Sequence, residues 1–166
     1  MNGKPILNYA DIQRLMPHRY PMLLIDAVYA VEADVSIVAV KNVTANEPCY
    51  ASLPDDIGPH QLAYPCSLIM ESCGQAGGIL WAYSGQLRGR DVTGLPLFVS
   101  GRECVFEADV LPGDTMEHRV CLERVVADAI FMSGETWVGQ RRVAKMGWLS
   151  AVIRPLDTLR QLRVQP

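Results

Sequence analysis

The chain has 166 residues, a formal net charge of −3 and 20% charged residues, and 49% of its residues are hydrophobic. A chain of this length suits one domain that buries about two thirds of its unfolded surface without a metal or disulfides. The weakly acidic balance lacks the basic footprint of a nucleic-acid-binding protein. We therefore expect the partner to be a small molecule or another protein, and no metal.

The cysteines and the N-terminal residues bear on the compartment. The five cysteines are scattered without a Cys-x-x-Cys spacing, which indicates neither a zinc site nor a redox pair. Reduced thiols are usual in the cytosol. No window approaches the roughly 18 apolar residues of a membrane-spanning helix, and the N-terminus lacks an apolar signal core. We expect a soluble cytoplasmic protein with a single domain over 1–166, its core over about 12–154 and a polar tail or short helix after it.

A short helix, two extended runs and a long loop are predicted in the first part of the chain. Residues 9–16 should be helical up to Pro17, because proline disfavours helical geometry in the residue before it. The runs 22–31 and 35–43 are largely apolar, as in buried strands. Residues 46–65 contain four prolines and no periodic pattern. Loops of this length inside compact domains are often functional.

One long helix is predicted over residues 67–86, with Ser67 as its N-cap. Glu71 is the single ionised side chain within the apolar and small residues 65–80. A buried charge is costly only when it is unpaired. Glu71 is therefore a structural acid paired with neighbouring amides, an exposed helix residue, or a residue with a chemical role.

Three glycines interrupt this helix at Gly74, Gly77 and Gly78. Each costs a helix about 1 kcal/mol relative to alanine. We infer that a sheet, another chain or a ligand approaches the helix closely there.

The second half of the chain is predicted to consist mainly of strands. Residues 103–110 alternate in polarity as in a strand with one buried face. Further strands are expected at 115–123, 129–138 and 141–153, joined by turns at 111–114 and 139–140. One long helix with about five or six mostly antiparallel strands predicts an α+β domain whose sheet wraps the helix.

Four segments in order carry a family resemblance: LMPHRYPMLLID at 15–26, KNVTANEP at 41–48, ESCGQAGGIL at 71–80 and VLPGD at 110–114. With them the chain resembles the β-hydroxyacyl-acyl-carrier-protein dehydratases over about residues 12–154. The resemblance implies a hotdog fold, in which a curved antiparallel sheet wraps the central helix and two protomers pair through their sheets. Related proteins form dimers and trimers of dimers.

The resemblance also implies a reaction, the removal of water from a 3-hydroxyacyl thioester on the phosphopantetheine arm of an acyl carrier protein. In the family a histidine ahead of the helix takes the C2 proton, and a helix glutamate of the other protomer assists departure of the 3-hydroxyl. Glu71 matches that glutamate. Backbone N–H groups at a helix N-terminus can polarise the thioester carbonyl, and Cys66 stands there in place of the family's usual glycine. No metal or organic cofactor is implied, because this elimination needs only an acid, a base and an oxyanion site.

The chain departs from the family at the histidine. The segment SLPDD at 52–56 aligns best with the family's His-Phe-Pro-Asp-Asp, which puts Ser52 at the position of the base. A serine hydroxyl is not a general base near neutral pH. His60, in a short insertion nearby, is either a replacement base or a solvated surface residue. We expect His18 to be mainly structural, with a hydrogen bond near the dimer interface or a loop, and His118 to be a satisfied core or interface histidine.

Three functions remain open, in fatty-acid or polyketide metabolism. The chain is a homodimeric dehydratase with His60 as base opposite Glu71, or it lends Glu71 to a related hotdog subunit that supplies the histidine. Otherwise it binds a carrier-bound acyl chain without dehydrating it, or acts as an isomerase, thioesterase or cyclase. In each case we expect the acyl tunnel to run beside the helix, lined by Ile69, Met70, Cys73 and Ile79.

Overall fold

A computed structural model describes residues 3–54, 56–90 and 94–155. The helices are α1 (Tyr9–Leu15) and α2 (Cys66–Leu87), and the strands are β1 (Ala27–Glu32), β2 (Ser36–Asn42), β3 (Gly94–Phe106), β4 (Thr115–Val126), β5 (Ala129–Val138) and β6 (Arg141–Pro155). Short 3₁₀ turns at Pro48–Tyr50 and Pro59–Leu62 lie in the loop between β2 and α2. Within this part of the chain, the strands form one antiparallel sheet in the order β1-β2-β4-β5-β6-β3. No helix in the described ranges is long and apolar enough to cross a membrane.

Helix α2 packs against one face of the sheet and forms the core with it. The alternation in β4 and β5 creates the sheet side of that core, because every second side chain points to the same face. The buried residues that meet there include Ile69, Cys73, Ala76, Ile79, Met116, Val120, Ile130, Met132 and Met146. The long helix and the antiparallel sheet confirm the predicted α+β hotdog architecture.

The start of α2 differs from the expectation that Ser67 is its N-cap. The helix begins at Cys66, and Pro65 takes the N-cap position with φ −56° and without a side-chain hydrogen bond. Ser67 therefore lies inside the first turn. At the other end Gly89 has φ +63°, and the N–H of Arg90 donates to the Gly85 carbonyl, a termination that favours glycine.

Two strand predictions differ most from the structure in their bounds. Strand β3 runs from Gly94 to Phe106, whereas a strand was expected over 103–110. It lies at the edge of the sheet, where neighbouring residues such as Phe98 and Val99 are both exposed, so the part of β3 before residue 103 lacks the alternation of a half-buried strand. Strand β1 begins only at Ala27, and the apolar residues before it form an irregular segment. The predicted tail from residue 156 onward lies outside the described residues.

Candidate active site

A cavity of about 240 Å³ lies between α2, the segment after α1, and strands β3, β5 and β6. Its α2 wall is formed by residues spaced three and four apart, which share one helix face. The lining residues are Met16, His18, Ser67, Met70, Glu71, Gly74, Gln75, Gly78, Pro96, Leu97, Phe98, Met132, Leu149 and Ala151. The cavity is therefore largely apolar. Its few polar lining residues, among those the structure describes, include one carboxylate and one imidazole.

Glu71 lies on the wall of this cavity with its side chain 36% exposed. Its Oε1 accepts a hydrogen bond of 2.8 Å from Nε2 of Gln75, one helical turn further along. The carboxylate thus has an amide partner and is also accessible from the cavity. It is neither an isolated buried charge nor a fully solvated surface residue.

Gln75 was not predicted as a site residue. It connects Glu71 with the segment before β1 through hydrogen bonds. Its buried side chain accepts from the Leu24 N–H at 2.9 Å and donates to the Met22 carbonyl at 2.6 Å, in addition to its bond with Glu71. These bonds fasten the irregular segment before β1 to helix α2. The signal available in the sequence was a second polar side chain four residues after Glu71, on the same face of an apolar helix.

His18 also lines the cavity, although the sequence suggested a mainly structural role. Its Nε2 lies 3.7 Å from Oε1 of Glu71, and its side chain is 28% exposed. The expected hydrogen bond of the ring is not seen within the described residues, where the buried Nδ1 has no partner. The backbone is held by Arg19, whose Nη1 donates to the carbonyls of Met16 and His18 at 2.7 Å each.

The two candidates for the position of the family's base lie elsewhere in the protomer. The side chain of His60 is 95% exposed, and its Nδ1 lies 3.0 Å from Oδ2 of Asp109. Ser52 is exposed in the loop between the two 3₁₀ turns. Neither residue lines the cavity of the same chain.

The expected acyl-tunnel lining needs a correction. Met70 does line the cavity, but Ile69, Cys73 and Ile79 are 2%, 0% and 0% exposed and belong to the core. The reason is the orientation of α2, which turns these three side chains toward the sheet. Burial also raises the pKa of the Cys73 thiol to about 12, so this thiol is protonated near neutral pH.

The first turn of α2 provides backbone donors beside the cavity. Among the described residues no side chain caps the helix, and Cys66 is exposed at its first position. The N–H groups of a first helical turn have no partner within the helix and carry the positive end of its dipole. Ser67 lines the cavity, so the first turn of α2 borders it.

His118 lies in the core between β4 and β5. Its Nδ1 is 2.9 Å from Oγ1 of Thr136, while its buried Nε2 has no partner within the described residues. Burial lowers the pKa of this imidazole to about 3. The expectation of a core histidine is confirmed, with only one ring nitrogen satisfied.

Comparison with known proteins identifies the family. Residues 16–147 match the model of the FabA-like domain. The chain belongs to the FabA-like family. This FabA-like chain is 36% identical over 154 residues to the 3-hydroxyacyl-acyl-carrier-protein dehydratase FabZ of Chlamydia trachomatis, covering 92% of the chain and 96% of the relative.

Solved structures agree with the FabA-like fold. The dehydratase heterocomplex ApeI:P from Xenorhabdus doucetiae gives a TM-score of 0.75 at 19% identity, covering 93% of this chain and 97% of that chain. A hot-dog-like protein from Thermanaerovibrio acidaminovorans gives a TM-score of 0.61 at 15% identity, covering 82% and 95%. Together they confirm the hotdog fold.

Proposed function

We propose that this FabA-like protein dehydrates 3-hydroxyacyl thioesters carried on an acyl carrier protein, with Glu71 as the acid. The observation that carries the proposal is the position of Glu71, the single carboxylate on the described cavity wall, held by Gln75 and accessible to a substrate. The FabZ relative, by its name, performs this reaction in its own organism.

The chemistry follows from the groups around the cavity. A base removes the C2 proton, the C2–H electrons form the double bond to C3, and the C3–O bond breaks. Glu71 protonates the departing hydroxyl, which leaves as water. The N–H groups of Cys66 and Ser67 at the start of α2 are the donors we assign to the thioester oxygen, where negative charge develops.

The apolar part of the cavity is assigned to the acyl chain. Met16, Met70 and Met132 surround it from three different elements. Methionine side chains are flexible and pack against irregular apolar shapes. We expect the carbons beyond C3 to lie among them.

A second protomer is part of the proposal, because the cavity lies next to the β3 edge of the sheet, which has no strand partner within the described residues. Phe98 on β3 lines the cavity and is 52% exposed in one protomer. A hotdog subunit that pairs along β3 would cover this side chain and close the cavity. We infer that such a partner, identical or related, binds there.

A heteromeric dehydratase is the second candidate, and one observation favours it. We place Ser52 at the position of the family's base, and His60 lies outside the cavity of its own protomer. A related subunit with a histidine at the Ser52 position would supply the base across the interface. The structural neighbour ApeI:P is described as a dehydratase heterocomplex.

The test is a mass measurement on carrier protein loaded with 3-hydroxyacyl chains. The purified chain should convert them with loss of one water, and Glu71→Gln should slow this by about 10²- to 10⁴-fold, the usual contribution of a general acid. Release of free acid would instead identify a thioesterase. Turnover that appears only after a related hotdog subunit is added would establish the heteromeric form, and full activity of Glu71→Gln would overturn the assignment of the acid.

A further inference from the structure

We propose that His18 is the base that takes the C2 proton, so that one protomer carries both the acid and the base. This inference rests on the proposed dehydration and adds a residue to its site. The observation that carries it is the distance of 3.7 Å between Nε2 of His18 and Oε1 of Glu71, across one cavity that both residues line.

The positions of the other two histidines support this choice. The chain has three histidines, and all lie in the described part. His60 points to solvent and pairs with Asp109, while His118 is 0% exposed within the core. His18 is therefore the imidazole that a substrate in contact with Glu71 can reach within the same chain.

The orientation of the His18 ring leaves Nε2 as the nitrogen that would face a bound substrate. Nδ1 is buried without a partner in the described part of the chain, and Nε2 faces Glu71. A neutral imidazole with its proton on Nδ1 has the free electron pair on Nε2, as a general base requires. Glu71 is the carboxylate that faces this nitrogen.

Hydrogen bonds hold both the segment that carries His18 and the side chain of Glu71. Arg19 binds the carbonyl of His18, and Gln75 ties Met22 and Leu24 to the helix that carries Glu71. Gln75 also donates directly to the Glu71 carboxylate. The acid and the proposed base are thus positioned by a common set of hydrogen bonds, with Gln75 as a positioning residue.

The proton balance closes within this pair. The C2 proton moves to Nε2 of His18, and the electron pair of the C2–H bond forms the C2–C3 double bond. As the C3–O bond breaks, its electron pair goes to the oxygen, which takes the proton of Glu71 and leaves as water. The resulting imidazolium and carboxylate attract each other at short range. Transfer of the proton from Nε2 to Oε1 then restores both groups, once the 3.7 Å between them shortens to hydrogen-bond distance.

The experiment compares His18→Gln with the matched variant His60→Gln in the full chain, together with any partner subunit found to be required. Dehydration is followed by the loss of water from carrier-bound substrate. Abstraction of the C2 proton is measured separately, through uptake of deuterium at C2 of a carrier-bound acyl thioester without a 3-hydroxyl group. We expect His18→Gln to lose about 10²- to 10⁴-fold in both rates, as removal of a general base predicts, and His60→Gln to match the unmodified chain.

Each contrary result is informative. Unchanged deuterium uptake in His18→Gln overturns the assignment, and loss of uptake in His60→Gln alone moves the base to His60. If the unmodified chain exchanges the C2 proton but never loses water, the proposed dehydration fails while the role of His18 is still decided by the exchange. Thermal unfolding of each variant identifies a folding defect, and His18→Asn, which is smaller, then takes the place of His18→Gln.

Discussion

At the scale of single residues, Gln75 connects two parts of the chain that the sequence keeps far apart. Its amide satisfies the N–H of Leu24 and the carbonyl of Met22. We expect Gln75→Met to lower the free energy of unfolding by about 2–4 kcal/mol, since a buried polar group left without its partner costs about 1–3 kcal/mol. Urea denaturation measures this change. Gln86→Met on the exposed end of the same helix is the control and should be nearly neutral; equal effects of the two substitutions would contradict the role of Gln75.

His118 makes a pH-dependent contribution to stability. Burial lowers its pKa from 6.5 to about 3. As the pH falls below 6.5, the unfolded chain binds a proton that the folded chain does not accept until about pH 3, so stability is lost across this window. Between about pH 7.5 and pH 5, this histidine should account for about 2 kcal/mol of the decrease in the free energy of unfolding.

The measurement for His118 is urea denaturation at both pH values. His118→Gln retains a polar group for Thr136 but has no proton to bind, so its loss of stability on acidification should be smaller by that amount. Parallel pH profiles for the variant and the unmodified chain would show that His118 does not titrate in this way.

The residues of the site differ in how far the sequence could predict them. Glu71 was identifiable because a single charge in an apolar helix is visible in one short segment. His18 was not, because its place beside Glu71 depends on the segment before β1 folding back onto α2 through bonds such as Leu24 to Gln75, 51 residues apart. A pattern within one short sequence segment cannot predict a contact between residues so far apart in the chain.

At the scale of elements, the three glycines of α2 have different environments. A side chain at Gly77 would overlap the thioether of Met132 on β5, and one at Gly78 would lie 3.0 Å from Cε of Met16. Gly74 has no atom within 4 Å of that position and borders the cavity. The inferred approach of the sheet is found at Gly77, whereas the close group at Gly78 is Met16 after α1, which was not among the expected neighbours.

A close approach of helix and sheet is tested at Gly134 on β5. A Cβ there would lie 2.7 Å from Sγ of Cys73 and 3.3 Å from Cγ2 of Val120, which have little freedom to move. We expect Gly134→Ala to destabilise the fold by about 1–3 kcal/mol through overpacking. Gly77→Ala is the comparison, because the flexible end of Met132 can shift and alanine favours the helix by about 1 kcal/mol. Denaturant midpoints should rank Gly134→Ala as the less stable variant, and the reverse order would contradict this view of the packing.

The strands show why some elements were predictable and others were not. In β4 and β5 one face is buried by α2 within a single protomer, so polarity alternates along the chain. In β3 neighbouring residues such as Phe98 and Val99 are both exposed, at 52% and 58%. Where both faces of a strand are exposed in its own protomer, as at these two residues, polarity does not alternate along the sequence.

At the scale of the whole molecule, the two edges of the sheet differ. The outer side of β1 is partly covered, because Val28 exchanges backbone hydrogen bonds with Leu7. The outer side of β3 has no strand partner within the described residues, although β3 is 13 residues long and exposes Val99 and Val105. Long apolar edges favour association with another strand. We therefore expect β3 to be the place where a second protomer pairs.

A lysine on β3 tests this expectation and its link to the cavity. Val105→Lys puts a charge on the exposed edge, where strand pairing between two protomers would have to bury it or bring it close to its copy. Light scattering should show a dimer for the unmodified chain and a monomer for the variant. Because pairing along β3 would also cover Phe98 at the cavity, the monomer should remain folded but lose dehydration activity. Val126→Lys adds the same charge at a site that is 54% exposed on β4, inside the sheet, and should stay dimeric and active. A dimeric Val105→Lys, or equal dissociation of both variants, would place the interface elsewhere.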